Sequence, residues 1–396
     1  MNRFLFFPVF LVNTIFCFGQ GVADHFVVIR DQGLTPIDFV QKKLKDHDLI
    51  IFDDALHSAY EPFEFYIELL ETPGNPIDYV FIEVFGINAQ PFLDAYFASE
   101  TEDRSLLLKV FQDDYAGLGW RYETYYNLLS AIWYINHREP ADSKKILVVA
   151  IDQPIFWDGL HSREDYDIFQ RSLGARDYFM YRIILDQMSG FKKNKKGVFL
   201  TNTRHAYKDI KNTEGLPYWN CGTFFYTWNP GKTYSIRIHN VTLSISTKKE
   251  NVKNASIQGL DAVEFKWIKM DEGAWDKAFQ MNGNVPVAIP LKDNVFGRTS
   301  YVGNHMLNAM EGQTMFDAYD ALIFLAALED LHFSPKIDFI YTDPYKKEMK
   351  RRLEVMHGGE LQAFLDSNGA KSAEEYIDKI SQYAPKSQNT LHSLAD

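Results

Sequence analysis

The sequence predicts an α/β fold: a mostly parallel central sheet flanked by helices, with a β-rich insertion and a helical C-terminal tail. Short apolar runs recur at 49–52, 78–85, 145–152 and 196–201. Near-continuous apolar runs of this length read as strands buried on both faces. Helical stretches separate the runs, which is the alternation that parallel pairing requires. The runs also end in polar residues, and parallel strands bring their carboxyl ends to one edge, where ligands and chemistry gather in open α/β sheets.

The chain has 396 residues, a net charge of −12 and 15% aromatic residues. Its first 19 residues carry one early positive charge, then an apolar run broken by Pro8 and Asn13, with small residues Cys17 and Gly19 before Gln20. This is the pattern of a cleaved secretory signal, 1–19, and it predicts a secreted or periplasmic protein. No later segment is long and apolar enough to suggest a stable membrane span. Cys221 is the one cysteine after the leader, which excludes a disulfide framework and a thiolate metal cluster. The acidic charge argues against nucleic acid as a partner, so a small-molecule ligand or substrate is expected. Oligomeric state is not legible.

In chain order, residues 20–46 read as a polar lead-in with one short helix from Thr35 to Lys45. The first strand follows and runs into Asp53, Asp54 and His57. Pro62 then opens a helix with Phe63, Tyr66, Ile67 and Leu70 on one face, a first-turn position that proline tolerates. Pro73-Gly-Asn-Pro76 closes it as a turn. The second strand carries Glu83 near its end, and a helix from about Ala89 to Ala98 covers it. Residues 101–138 read as helical. The third strand ends at Asp152, a long helical region spans about 164–189, and the fourth strand leads to His205. Between about 220 and 300 the pattern changes: Thr233-Tyr-Ser-Ile-Arg-Ile alternates with period two, and Val285-Pro-Val-Ala-Ile forms another short run. This stretch is expected to be a sheet edge or insertion. Sheet logic returns near Phe316-Asp-Ala-Tyr-Asp-Ala-Leu-Ile-Phe, and again at Ile337-Asp-Phe-Ile-Tyr. The domain so defined spans 20–343. The tail, 344–396, is a helical extension in which Lys346-Lys-Glu-Met-Lys-Arg-Arg reads as solvated.

Two chemistries suit His57, Glu83 and His205 at the ends of different strands. In one, His57 is a general base that takes a proton from water, a carboxylate orients its imidazole, and His205 or Arg176 holds the developing oxyanion. In the other, the histidines and carboxylates bind a divalent metal that activates the water, although no His-Glu-x-x-His pair is present. A serine or cysteine nucleophile lacks support, because there is no Gly-x-Ser-x-Gly elbow. His161, His239, His305 and His332 read as packing or surface residues.

The order of these motifs resembles the erythromycin esterase family: strand, acid, His57 and helix, then Ile-Glu83, Ile-Asp152, Arg176-Asp-x-x-Met, and a strand running to His205. That family is similar in turn to haem-binding iron-uptake lipoproteins and to Tiki/TraB-like proteins. The resemblance covers roughly 45–335. It implies a hydrolase cleaving an ester-like bond, with His57 the water-activating base, Glu83 its partner carboxylate and His205 beside them. It also implies Asp54, Asp152 and Arg176 around the substrate. The family's Gly-Glu before the histidine is here Asp53-Asp54, and its His-Asn-x-His is here Asn202-Thr-Arg-His205. The alternatives that follow are a haem- or metal-binding protein of the same fold, or a drifted, non-catalytic member.

Overall fold

The computed structural model describes residues 20–114, 120–138, 144–247, 263–303 and 309–384. The expected leader at 1–19, the centre of the insertion at 248–262, His305 and the tail beyond 384 lie outside the described residues. Nine strands are described. They are β1 (Leu49–Asp53), β2 (Tyr79–Gly86), β3 (Leu147–Asp152), β4 (Gly197–Thr201), β5 (Thr233–Ile238), β6 (Thr242–Thr247), β7 (Val263–Ile268), β8 (Val287–Pro290) and β9 (Ala321–Phe324).

Seven of them form the central sheet in the order β3-β2-β4-β1-β5-β9-β8, and β6 and β7 pair separately as an antiparallel ribbon. All pairings in the central sheet are parallel except β8 with β9. The two-residue period of a strand sends alternate side chains of β1 to opposite faces. Ile50 and Phe52 join one buried cluster with Val80, Ile82 and Ile236, while Leu49 and Ile51 join the other with Phe81 and Phe199. Burial on both sides explains why these strands read as unbroken apolar runs.

The period-two stretch around 233 is neither edge nor insertion. As β5 it lies inside the sheet, hydrogen-bonded to β1 on one side and β9 on the other. The expected insertion thus divides into a core strand, the β6–β7 ribbon and the antiparallel edge strand β8. The run at 337–341 forms no strand. The lead-in is more structured than its polarity suggests: the helix Gln20–Gln32 precedes the helix Pro36–Asp46. Its Val22, Val28 and Ile29 are buried with Trp275, Phe279 and Phe296.

At the other edge, β3 has no strand beyond it among the described residues, yet backbone groups on its outward side are answered. The Gln90 amide donates to the Val148 carbonyl at 3.0 Å and accepts from Ala150 N–H at 2.8 Å. Asn136 does the same for Ile146, donating to its carbonyl and accepting from its N–H at 2.9 Å each. Two side-chain amides therefore stand where a further strand would pair.

The tail is helical, as Asp343–His357, Leu361–Ser367 and Ala373–Ile380. Its basic run is not wholly solvated. Arg352 is buried, bonded to Glu348 and Asp113 and stacked 4.8 Å from the Trp157 ring, which compensates its charge away from water. Among the described residues no helix is long and apolar enough to cross a membrane.

Candidate active site

Five adjacent parallel strands, β3-β2-β4-β1-β5, each deliver polar side chains at or near their carboxyl ends. These are Asp152, Glu83, Thr201 with Asn202, Asp53 with Asp54, and Arg237. In β2 the register against β3 shifts between Ile82 and Gly86. Irregularities of that kind re-aim a side chain, and Glu83 lies within this one.

Beyond β1 the chain turns sharply. Ala55 sits at φ 58°, a left-handed conformation unusual for a residue with a Cβ, and its N–H donates to Asp53 Oδ1 at 2.8 Å. This turn separates the two aspartates. Asp54 faces His57, with Oδ2 3.1 Å from Nδ1. Asp53 faces the other way and accepts from Arg237 Nη1 at 2.8 Å, the Tyr319 hydroxyl at 2.6 Å and the Thr203 hydroxyl at 3.1 Å.

His57 is buried, its ring edge-on to Trp120 at 4.7 Å, with the Tyr125 hydroxyl 3.2 Å from Nδ1. Its Nε2 lies 3.0 Å from Asn202 Nδ2 and 3.5 Å from Glu83 Oε2. Asn202 caps the short helix Thr203–Ala206 by accepting the Arg204 N–H on its Oδ1. With the amide oxygen so occupied, the nitrogen is turned toward His57. When the imidazole is neutral, that orientation suits a tautomer with its hydrogen on Nδ1, donated to Asp54, and a lone pair on Nε2.

Glu83 is the hub. Its Oε1 accepts from Arg176 Nη2 at 3.0 Å and lies 3.1 Å from His205 Nε2, while its Oε2 accepts from the Thr201 hydroxyl and the Asn202 N–H. Behind it, Arg176 grips Asp152 through two bonds of 2.7 Å. His205 Nδ1 sits 2.7 Å from Asp177 Oδ1, which also accepts the Cys221 N–H. Six of the expected residues, His57, Glu83, His205, Asp54, Asp152 and Arg176, thus form one network of opposite charges.

Burial opposes ionisation throughout this network, and the neighbours decide the outcome. Burial would lower His57, but Asp54 and Glu83 raise it to about 10. His205 is likewise carried to about 9 by Glu83 and Asp177 against its burial. Burial pushes the Asp54 carboxyl up to about 6 despite His57, whereas Glu83, despite its burial, is held well below the usual range by His205 and His57. The thiol of Cys221 is pushed well up by burial, which removes it as a nucleophile.

A cavity of about 230 Å³ opens beside His57 and is lined also by Trp120, Asn202, Arg204, Arg237 and Trp267. Asp54, Glu83, Asp152, Arg176 and His205 stand behind this lining, bonded to one another and to His57 rather than facing the space. The expected oxyanion role of His205 or Arg176 therefore has no support in this arrangement. Sequence reasoning missed Arg237, hidden in a strand read as insertion, and Tyr125 and Trp120, for which the sequence carried no signal. Among the described residues no group of three His, Cys, Asp or Glu side chains is set as a metal site. The cavity is also smaller than the roughly 300–1,000 Å³ of pockets for drug-sized ligands. A larger hollow of about 1020 Å³ runs along the β3 edge beside Phe97, Leu147 and Ile183, away from this network.

No protein-family model matches the chain, and no curated protein matches it. Among solved structures, a succinoglycan biosynthesis protein aligns with a TM-score of 0.52 at 10% identity, covering 77% of this chain and 97% of that one. A Bacillus cereus protein aligns with a TM-score of 0.45 at 10% identity, over 76% and 96%. An erythromycin esterase mutant, EreC in its open conformation, aligns with a TM-score of 0.47 at 10% identity, over 72% and 92%. At this identity the likeness is one of fold.

Proposed function

We propose that the chain hydrolyses an ester-like bond in a small substrate, with His57 as the base that activates water. The observation that carries this reading is the setting of His57. It is buried at the end of a cavity, anchored through Nδ1 to Asp54, with Nε2 beside an amide whose orientation is fixed by a helix cap.

The attacking water gives its proton to Nε2 as its oxygen bonds to the carbonyl carbon. The carbonyl π pair moves onto oxygen, and the protonated Nε2 and the Asn202 Nδ2–H are the donors nearest that oxyanion. Asp54 stabilises the imidazolium meanwhile. Collapse breaks the bond to the leaving alkoxide, which takes the proton back from Nε2. Glu83, held in place by Arg176, Thr201 and His205, supports the imidazolium from its other side. Asp152 and Asp177 act as positioning residues through Arg176 and His205.

Because its carboxylate neighbours raise His57 to about 10, the imidazole holds a proton at neutral pH and must lose it to act as a base. Hydrolysis of small alkyl esters and lactones, followed between pH 6 and 10.5, is expected to rise about tenfold per pH unit before levelling near 10. His57→Ala should lower kcat by about 10²–10⁴, and a chelator should change nothing. Inertness across the panel and the pH range, or undiminished activity in His57→Ala, overturns the reading. Loss on chelation replaces the metal-free base with a metal-bound water.

A further inference from the structure

We propose that the substrate carries an anionic oxygen group, a carboxylate or a phosphate, held in the cavity between Arg204 and Arg237 while the scissile bond lies at His57. This rests on the hydrolase reading for the bond that is cut, but not for the group that is held.

The charges around the cavity are paired with one exception. Asp54 is answered by His57, and Asp53 by Arg237. Arg204 is exposed, lines the cavity and makes no ion pair among the described residues. Arg237 is nearly inaccessible, yet its hydrogen bonding is incomplete. Nη1 donates to Asp53 and Thr203 and Nη2 to the Thr242 hydroxyl at 2.6 Å, while Nε is buried with no hydrogen-bond partner. A buried donor without an acceptor is a standing cost, and Arg237 adds a second guanidinium to the lining beside Arg204. A guanidinium suits carboxylate and phosphate oxygens, and the half-buried rings of Trp120 and Trp267 line the same space.

The chain's net charge of −12 does not oppose this. At physiological salt, charges more than roughly 8 Å away are largely screened, so the arginines at contact distance decide what binds. With about 230 Å³ to fill, the ligand is a short acid of a few carbons or a small phosphate ester.

The test has a binding arm and a kinetic arm, both on the intact protein. Tryptophan fluorescence is titrated with succinate and, separately, with inorganic phosphate, at low and high salt, for the wild type and Arg204→Gln. Turnover of monomethyl succinate is compared with that of methyl pentanoate, a neutral ester of similar length. The expected results are saturable quenching by at least one anion, weakened by salt and about tenfold or more in Arg204→Gln, and a wild-type preference of about tenfold for the charged ester that largely disappears in the variant. Response to succinate or to phosphate identifies which anion the site takes. The absence of saturable binding of either anion, or binding that Arg204→Gln leaves unchanged, overturns the proposal. If anions bind and no ester is cut, the anion site stands and the hydrolase reading falls. If esters are cut without anion binding or preference, the reverse holds.

Discussion

Replacing Glu83 by glutamine keeps the side chain's size and removes one negative charge from among three cations. In the native arrangement its oxygens lie 3.0 Å from Arg176 Nη2, 3.1 Å from His205 Nε2 and 3.5 Å from His57 Nε2. Deleting one partner of a buried ion pair costs about 3–5 kcal/mol, because the remaining charge stays buried. The histidines supply a second route to the same figure. His57 is raised from 6.5 to about 10, and at about 1.4 kcal/mol per tenfold change in proton affinity this represents at most about 5 kcal/mol, shared between Asp54 and Glu83. The pH dependence separates this mechanism from a simple packing defect. A histidine raised on folding supplies stability that is complete below pH 6.5 and drains away as pH climbs through its folded value, here about 9 for His205 and about 10 for His57. Glu83 is held below its usual 4.5, so its contribution exists above that pH and is lost as pH falls through the lower folded value. The stability gap between wild type and Glu83→Gln should therefore be widest near pH 5–6.5 and shrink toward both pH 10 and strong acid. Guanidinium denaturation at pH 6, 8 and 10 measures it. A gap below about 1 kcal/mol at pH 6, or one that does not change with pH, refutes the reasoning.

Two further outcomes follow from the same physics elsewhere. Arg237→Met leaves Asp53, which is fully inaccessible, without its cation, and should cost about 3–5 kcal/mol. The double variant with Asp53→Asn should recover at least half of that in denaturation midpoints, and a strictly additive double variant contradicts the pairing. Gln90→Ala exposes the Val148 carbonyl and Ala150 N–H at the open edge of β3. It should cost about 1–2 kcal/mol and increase concentration-dependent association in light scattering, an increase that an unaltered edge would not show.

The parts legible in the sequence were those whose local pattern does not depend on distant partners. Strands β1 to β4 are buried on both faces, so they read directly as apolar runs, and the polar residues ending them marked the site's edge. Parallel pairing then brought His57, Glu83 and His205 together. The rest depended on context. Strand β5 alternates because Ser235 and Arg237 point toward buried polar partners, and alternation of that kind imitates a half-exposed edge. Which of Asp53 and Asp54 faces His57 was undetermined, because a period of two gives a face only after the turn at Ala55 is known. The helix Gln20–Gln32 was hidden by Asp24, Arg30 and Asp31 on its exposed side. Arg176 and His205 lie behind the cavity lining rather than in it, which was not legible because spacing shows that groups converge, not which of them reaches open space.

That first helix has a consequence for how the chain assembles. Its buried side rests on Trp275, Phe279 and Phe296, so the residues that cover it are synthesised about 250 positions later. At roughly 5–20 residues per second, Val22, Val28 and Ile29 wait on the order of 10–50 s before their partners exist. Contacts so distant in sequence are slow to form. Folding must therefore begin elsewhere, and β1 to β4, with their intervening helices, are the mutually paired strands available first. The helix Gln20–Gln32 is then among the last parts to settle, and a ribosome paused before residue 274 would hold strands β1 to β5 with an apolar helix face still exposed.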